Sequence, residues 1–148
     1  MQKNIWHRLS SAASWQSWSG YSFENLCLTH SSGIKNALGI SGVHSIQSSY
    51  SFPGNDLYDG LQIDLLIDRA DHTISLCEIK FYQDNFVITK SYASTLRRRV
   101  TTFREVTKTR KTVQLVFLST YGLRENKHSL GLVDHNLDAE CLFTTQPF

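Results

Sequence analysis

Proline is nearly missing from this chain: only Pro53 and Pro147 occur in 148 residues. Without proline-rich or charge-dense tracts, no stretch has the composition of a disordered linker, so one folded domain over 1–148 is expected. Cysteine is also sparse. Cys27, Cys77 and Cys141 lie far apart, are odd in number and form no CxxC. That excludes a disulfide framework and fits buried free thiols in a reducing cytoplasm. The six histidines show no zinc spacing. No window approaches a membrane span, and MQKNIWHRLSSAASW at the start holds no apolar run of signal-peptide length. The chain contains no GxxxxGK[ST], GxGxxG or GxSxG, which removes the P-loop, dinucleotide-binding and serine-hydrolase readings.

What is present is a core-forming composition with segregated charge. Hydrophobic residues make up 41%, enough to bury a real interior at this length. The net charge of +2 is too small to argue for a polyanion partner by itself. Its distribution says more. Seven of the 13 acids lie between Asp56 and Asp84, and seven of the 15 Lys and Arg residues lie between Arg97 and Lys111. An acidic segment followed by a basic one suits a cation site beside a phosphate track, and it equally suits a solvated helix face.

Periodicity sets the element order. Residues 1–19, with Trp6, Trp15 and Trp18, read as a short arm or helix closing at Gly20, and the three indoles as core or a docking surface. Phe23, Leu26, Cys27, Ile34 and Leu38 form one helical stripe from an N-cap at Ser22 to a stop at Gly39. Val43–Phe52 reads as a strand, followed by a turn-rich loop. Leu61–Arg69 alternates, with Leu61, Ile63, Leu65 and Ile67 on one face and Gln62, Asp64, Leu66 and Asp68 on the other. Thr73–Tyr82 is a second strand across a compact loop. A helix over Lys90–Lys108 buries Ala93, Leu96, Val100 and Phe103. Lys90, Arg97, Arg104 and Lys108 form a second, basic stripe along it. Thr112–Thr120 is a strand buried on both faces, and Gly131–Phe143 a last strand and short helix. The fold class expected is α/β of the α+β kind, a mixed central sheet flanked by helices.

The hairpin carries the chemistry. In an antiparallel pair the positions of opposed residues have a constant sum. A three-residue loop of Ala70, Asp71 and His72 puts Asp64 and Glu78 side by side on one face, with Lys80 two residues on along the same face. Two carboxylates interrupting apolar strands repel each other and are costly to bury. A hard divalent cation offsets both effects, since Mg²⁺ takes one or two carboxylates plus water and phosphate oxygens. Lys80 could then orient or deprotonate a water, or stabilise phosphate charge, and the backbone carbonyl of Ile79 is a further candidate ligand. A cross-strand surface cluster of Asp, Glu and Lys is the plainer reading of the same pattern.

GLQIDLLIDR and ISLCEIKFY resemble the core of the PD-(D/E)XK nuclease superfamily, from about Gly20 to Thr120. Gly60-Leu61-Gln62-Ile63-Asp64 stands where that family has its Asp strand, and Glu78-Ile79-Lys80 stands for its (D/E)-x-K. Ile63 replaces the family's Pro. Trp18 to Cys27, W-x-G-x-x-F-E-x-x-C, looks most like the C-terminal domain of a group of prokaryotic ATPases with a nuclease-like tail. The resemblance implies a restriction-endonuclease-like αβββαβ core over 20–120, with 121–148 as a tail packing on it. It implies Asp64, Glu78 and Glu24 as metal ligands and Lys80 as the catalytic lysine. Gln62, Lys90 and Tyr92 would be auxiliary polar positions. Glu24 also reads simply as a first-turn acid favoured by the helix dipole.

Two functions follow as expectations. One is Mg²⁺-dependent hydrolysis of DNA, with Mn²⁺ as a substitute, in which Arg97, Arg98, Arg104, Lys108, Arg110 and Lys111 hold the backbone. The other is a nuclease-fold module that binds nucleic acid or protein without turnover, tied to an ATPase module or a partner. A homodimer is a further expectation from the resemblance, and no membrane association is expected.

Overall fold

The computed structural model describes residues 13–143, with side chains from Ser19 onward. Expectations for residues 1–12, and for the side chains of Trp15 and Trp18, lie outside the described residues. Among those described, three α-helices pack on a five-stranded sheet. They are α1 (Ala13–Thr29), α2 (Ser31–Ala37) and α3 (Lys90–Thr107). The strands are β1 (Ser45–Phe52), β2 (Leu61–Arg69), β3 (Thr73–Lys80), β4 (Thr112–Ser119) and β5 (His135–Leu137), and a 3-10 helix follows at Ala139–Leu142. No helix among the described residues is long and apolar enough to cross a membrane.

The sheet order is β1-β2-β3-β4-β5. β1 to β3 form an antiparallel meander, whereas β3–β4 and β4–β5 pair parallel. Connection length explains the change. The three-residue turn between β2 and β3 reverses the chain, with His72 taking the left-handed conformation at φ 65° and Arg69 bonding the Asp71 carboxylate. Between β3 and β4 the whole of α3 carries the chain back to the same end of the sheet, as a parallel pair requires. The Thr89 hydroxyl starts α3 by accepting the Tyr92 amide at 3.2 Å. Lys108, left-handed at φ 55°, ends it.

Each face of the sheet has its own core. On one, Ala93, Leu96 and Phe103 of α3 pack against Ile63, Leu66, Ile74, Leu76, Leu115 and Phe117. On the other, Phe23, Cys27, Ile34 and Leu142 pack against Leu65, Ile67, Cys77, Val116 and Leu118. Each large apolar side chain among these contributes about 1.5–3 kcal/mol on full burial. β4 is therefore covered on both sides, as its apolar run requires.

Several expectations need correction. α1 begins at least seven residues before Gly20, runs through it, and leaves Ser22 mid-helix rather than at an N-cap. The stripe from Phe23 to Leu38 spans two helices, broken at His30, though its members do share one core. Gly39 does follow the second helix in the left-handed region, at φ 72°. β1 starts at Ser45 rather than Val43, and β3 ends at Lys80, which leaves Tyr82 outside.

The alternation expected for β2 fails in its middle. Leu61, Ile63 and Leu66 face α3, while Leu65 and Ile67 face α1 and α2. The cause is a bulge. From Ser48↔Leu66 to Tyr50↔Ile63, β1 advances two residues while β2 advances three. The extra residue shifts the side-chain phase at Asp64 and Leu65.

Candidate metal centre

The pairing of β2 with β3 keeps a constant position sum from Arg69↔Thr73 to Leu65↔Cys77. The ladder stops there, one step short of Asp64 and Glu78. Beyond it the strands enclose a polar cavity of about 260 Å³ at the sheet end away from the hairpin turn. Glu24 of α1, Gln62 and Asp64 of β2, Glu78, Ile79 and Lys80 of β3, and Arg99 of α3 all line it. Four elements thus converge where β3 ends and β2 begins.

Asp64 and Glu78 do not share the one face expected of them, because the bulge turns them to opposite sides of the sheet. Asp64 turns to α1, where its carboxylate shares a hydrogen bond with Glu24, and the Gln62 side-chain amide donates to Asp64 Oδ1 at 3.2 Å. Burial first, then the Asp64 charge and this hydrogen bond, hold the Glu24 carboxyl above its usual range, with Lys80 acting the other way. Glu78 turns to α3. Its Oε1 accepts from Arg99 Nε at 2.8 Å, and the same guanidinium donates through Nη2 to the Gln62 carbonyl. The Glu78 side chain is only 14% exposed. Burial raises its pKa most, with Asp64 adding to the shift, while Arg99 and Lys80 lower it.

Lys80 Nζ lies 5.6 Å from the centroid of the Tyr92 ring, within cation–π range. Tyr92 packs between Phe86 and Phe117. Burial and the neighbouring Glu78 push its hydroxyl up to about 12, against the pull of Arg99. The structure thus brings Glu24, Gln62, Asp64, Glu78, Ile79 and Lys80 to one cavity, with Tyr92 against Lys80. Lys90 is an exposed side chain at the first residue of α3.

The basic residues divide. Arg104 is tied to the Val113 carbonyl at 3.2 Å, and Lys111 pairs with Asp68 at 2.5 Å and with the Arg69 carbonyl. Arg97, Arg98, Lys108 and Arg110 are exposed and in no ion pair among the described residues.

Arg99 belongs to the site, although in the sequence it reads as one more member of the basic run. Tyr92, Leu96, Arg99 and Phe103 follow at spacings of 4, 3 and 4, the spacing of one helix face, and that pattern could have found it.

The donor set suits a hard cation. Glu24, Asp64 and Glu78 offer only oxygen, and Ile79 lines the same cavity. No group of three His, Cys, Asp or Glu side chains among the described residues is close enough for an all-protein cage. Mg²⁺ does not need one, because it commonly keeps water and binds through one or two carboxylates. The two carboxyls forced together at Glu24 and Asp64 supply that minimum. Comparison with protein-family models, with curated proteins and with solved structures gives no match.

Proposed function

We propose that the chain is a PD-(D/E)XK-type nuclease domain that hydrolyses phosphodiester bonds of DNA with Mg²⁺. The observation that carries the reading is the convergence of Glu24, Asp64, Glu78 and Lys80 from three elements on one polar cavity. Glu24 and Asp64 would hold the metal, joined by Glu78 once Arg99 releases it. When bound, the ion supplies charge neutralisation at the phosphate and a more acidic bound water. Glu24, whose ionisation is made costlier by the Asp64 charge, would be relieved by a cation shared between the two. Lys80, steadied against Tyr92, orients the attacking water and stabilises charge developing on the phosphoryl oxygens. Gln62 fixes the Asp64 carboxylate through its side-chain amide. The αβββαβ order, preceded by an extra helical segment and followed by a parallel strand and a 3-10 helix, is compatible with the nuclease core.

The test is metal-dependent cleavage of plasmid and single-stranded DNA. Asp64→Ala and Lys80→Ala should each lower the rate by at least about 100-fold, the scale of losing an electrostatic or acid–base contributor. Cleavage that survives both changes would rule this site out.

A second reading has its own support. The Arg99–Glu78 ion pair already offsets part of the cost of burying one carboxylate without any metal. This favours a nuclease-fold module that binds nucleic acid without turnover, linked to an ATPase module or a partner protein. Salt-sensitive DNA binding with no cleavage at any metal concentration would favour it.

A further inference from the structure

A second cleft adjoins the carboxylate cavity, and Arg99 lines both. Its volume is about 440 Å³, and it lies between α3 and the turn that joins β1 to β2. The backbone of the turn is held by its own hydrogen bonds. In the turn, the Asn55 side-chain oxygen accepts the Leu57 and Tyr58 amides at 2.9 and 2.8 Å, and the Asn55 amide donates to the Tyr58 carbonyl at 2.9 Å. Tyr58 is hydrogen-bonded through its side chain to Glu105, which ties the turn to α3.

The walls differ in chemistry. The turn offers Leu57, 82% exposed, and Tyr58. The helix offers Arg97 and Arg98, both exposed and in no ion pair among the described residues, with Thr95 beside them. Asp59 is the acid on this lining. An apolar shelf facing guanidinium groups is complementary to a nucleotide, with its base on one side and its phosphate on the other. A cleft of this size falls in the range of small-molecule sites and admits one nucleotide, whereas a duplex about 20 Å across cannot enter it.

We propose that this cleft is a nucleotide subsite, which takes a single nucleic-acid strand leading away from the carboxylate cavity. This rests on the nuclease reading for its direction, but binding can be measured without metal or turnover. Arg99 stands at the junction, and releasing Glu78 would free its guanidinium for the phosphate between the two cavities.

The test uses the full chain in EDTA and the anisotropy of a labelled strand of about 12 nucleotides, beside its duplex, over a salt series. The expected result is tighter binding of the single strand than of the duplex. Arg97→Gln with Arg98→Gln should weaken it about tenfold and flatten the slope of log K against log salt by about 0.7 for each phosphate no longer neutralised. Leu57→Ser should weaken binding about threefold and leave the slope unchanged, because apolar contact with a base releases no counterions. Lys35→Gln on α2 should bind as the unaltered chain does.

The proposal is overturned if the arginine pair and Leu57→Ser bind normally, if Lys35→Gln costs as much as the arginines, if the duplex binds as well, or if no strand binds. Asp64→Asn separates the two readings, since it should abolish cleavage and keep binding. An unaltered chain that binds through the arginines but never cleaves would sink the nuclease reading and keep the subsite. Cleavage without any dependence on Arg97 or Arg98 would do the reverse.

Discussion

At the scale of single residues, the chemistry turns on what each carboxylate touches. Glu78 is held by Arg99, so a cation at the proposed site would compete with the guanidinium for one acceptor. Arg99→Gln should therefore raise Mn²⁺ affinity, by up to about fivefold, because a half-buried ion pair is worth on the order of 1 kcal/mol. Calorimetric titration checks this, and unchanged or weaker affinity would mean that Arg99 positions Glu78 rather than blocking it. Glu24 and Glu78 also make a pH prediction. Both are raised above the ordinary value of 4.5, so the folded protein holds these protons more tightly than the unfolded chain. Their contribution to stability is fully present below that value and is lost as pH rises through the folded pKa. Asp71, lowered by Arg69, acts in the opposite sense. The difference between the native chain and Glu24→Gln isolates the site. In EDTA, Glu24→Gln should melt higher at neutral pH, and the gap should close towards pH 4. Thermal unfolding across that range measures it, and a lower midpoint for the variant at neutral pH would contradict the repulsion.

At the scale of elements, packing on the two faces of the sheet holds the site in register. Phe103 anchors α3, and with it Arg99, against the sheet. Phe103→Ala should cost about 3–5 kcal/mol, as large-to-small changes in a core do, and denaturant unfolding reads it directly. On the opposite face, a Cβ at Gly33 would collide with the Cys141 carbonyl oxygen. Gly33→Ala should destabilise the chain by about 1–3 kcal/mol by prising the 3-10 helix from α2, again read by denaturant unfolding. The elements also differ in how legible they are in the sequence. Strands β2 and β3 and helix α3 are readable to within a few residues because their apolar periods are strong and their ends carry turn or cap residues. The hairpin register is readable because a three-residue turn leaves little choice. The early start of α1 is not, because Gly20 reads as a stop and packing against the sheet outweighs its propensity. Nor is the β2 bulge, since it depends on pairing with β1, a mostly polar strand with little pattern of its own. That bulge turns Asp64 towards Glu24, so the partnership of these two carboxyls is tertiary information. Arg99 is hidden by its neighbours Arg97 and Arg98, although the spacing of Tyr92, Leu96 and Phe103 marks its face.

At the scale of the whole molecule, the layout is a two-sided core with a polar opening at one end of the sheet. Glu78 and Lys80 close the apolar run of β3, and Asp64 interrupts that of β2 between the buried Ile63 and Leu65. α1 and α3, packed on opposite faces, each deliver one charged side chain to that end, Glu24 and Arg99. The sheet therefore fixes the distance between groups that the two helices supply, and chemistry at this end is insulated from changes at the hairpin turn, where Arg69, Asp71, Asp68 and Lys111 form their own ion pairs. The proposed function requires that this opening hold a divalent cation. Calorimetric titration of the metal-free chain with Mn²⁺, beside Asp64→Ala, tests it most directly. Saturable binding to the unaltered chain and its loss in Asp64→Ala are expected; equal binding by both, or none by either, would contradict the claim.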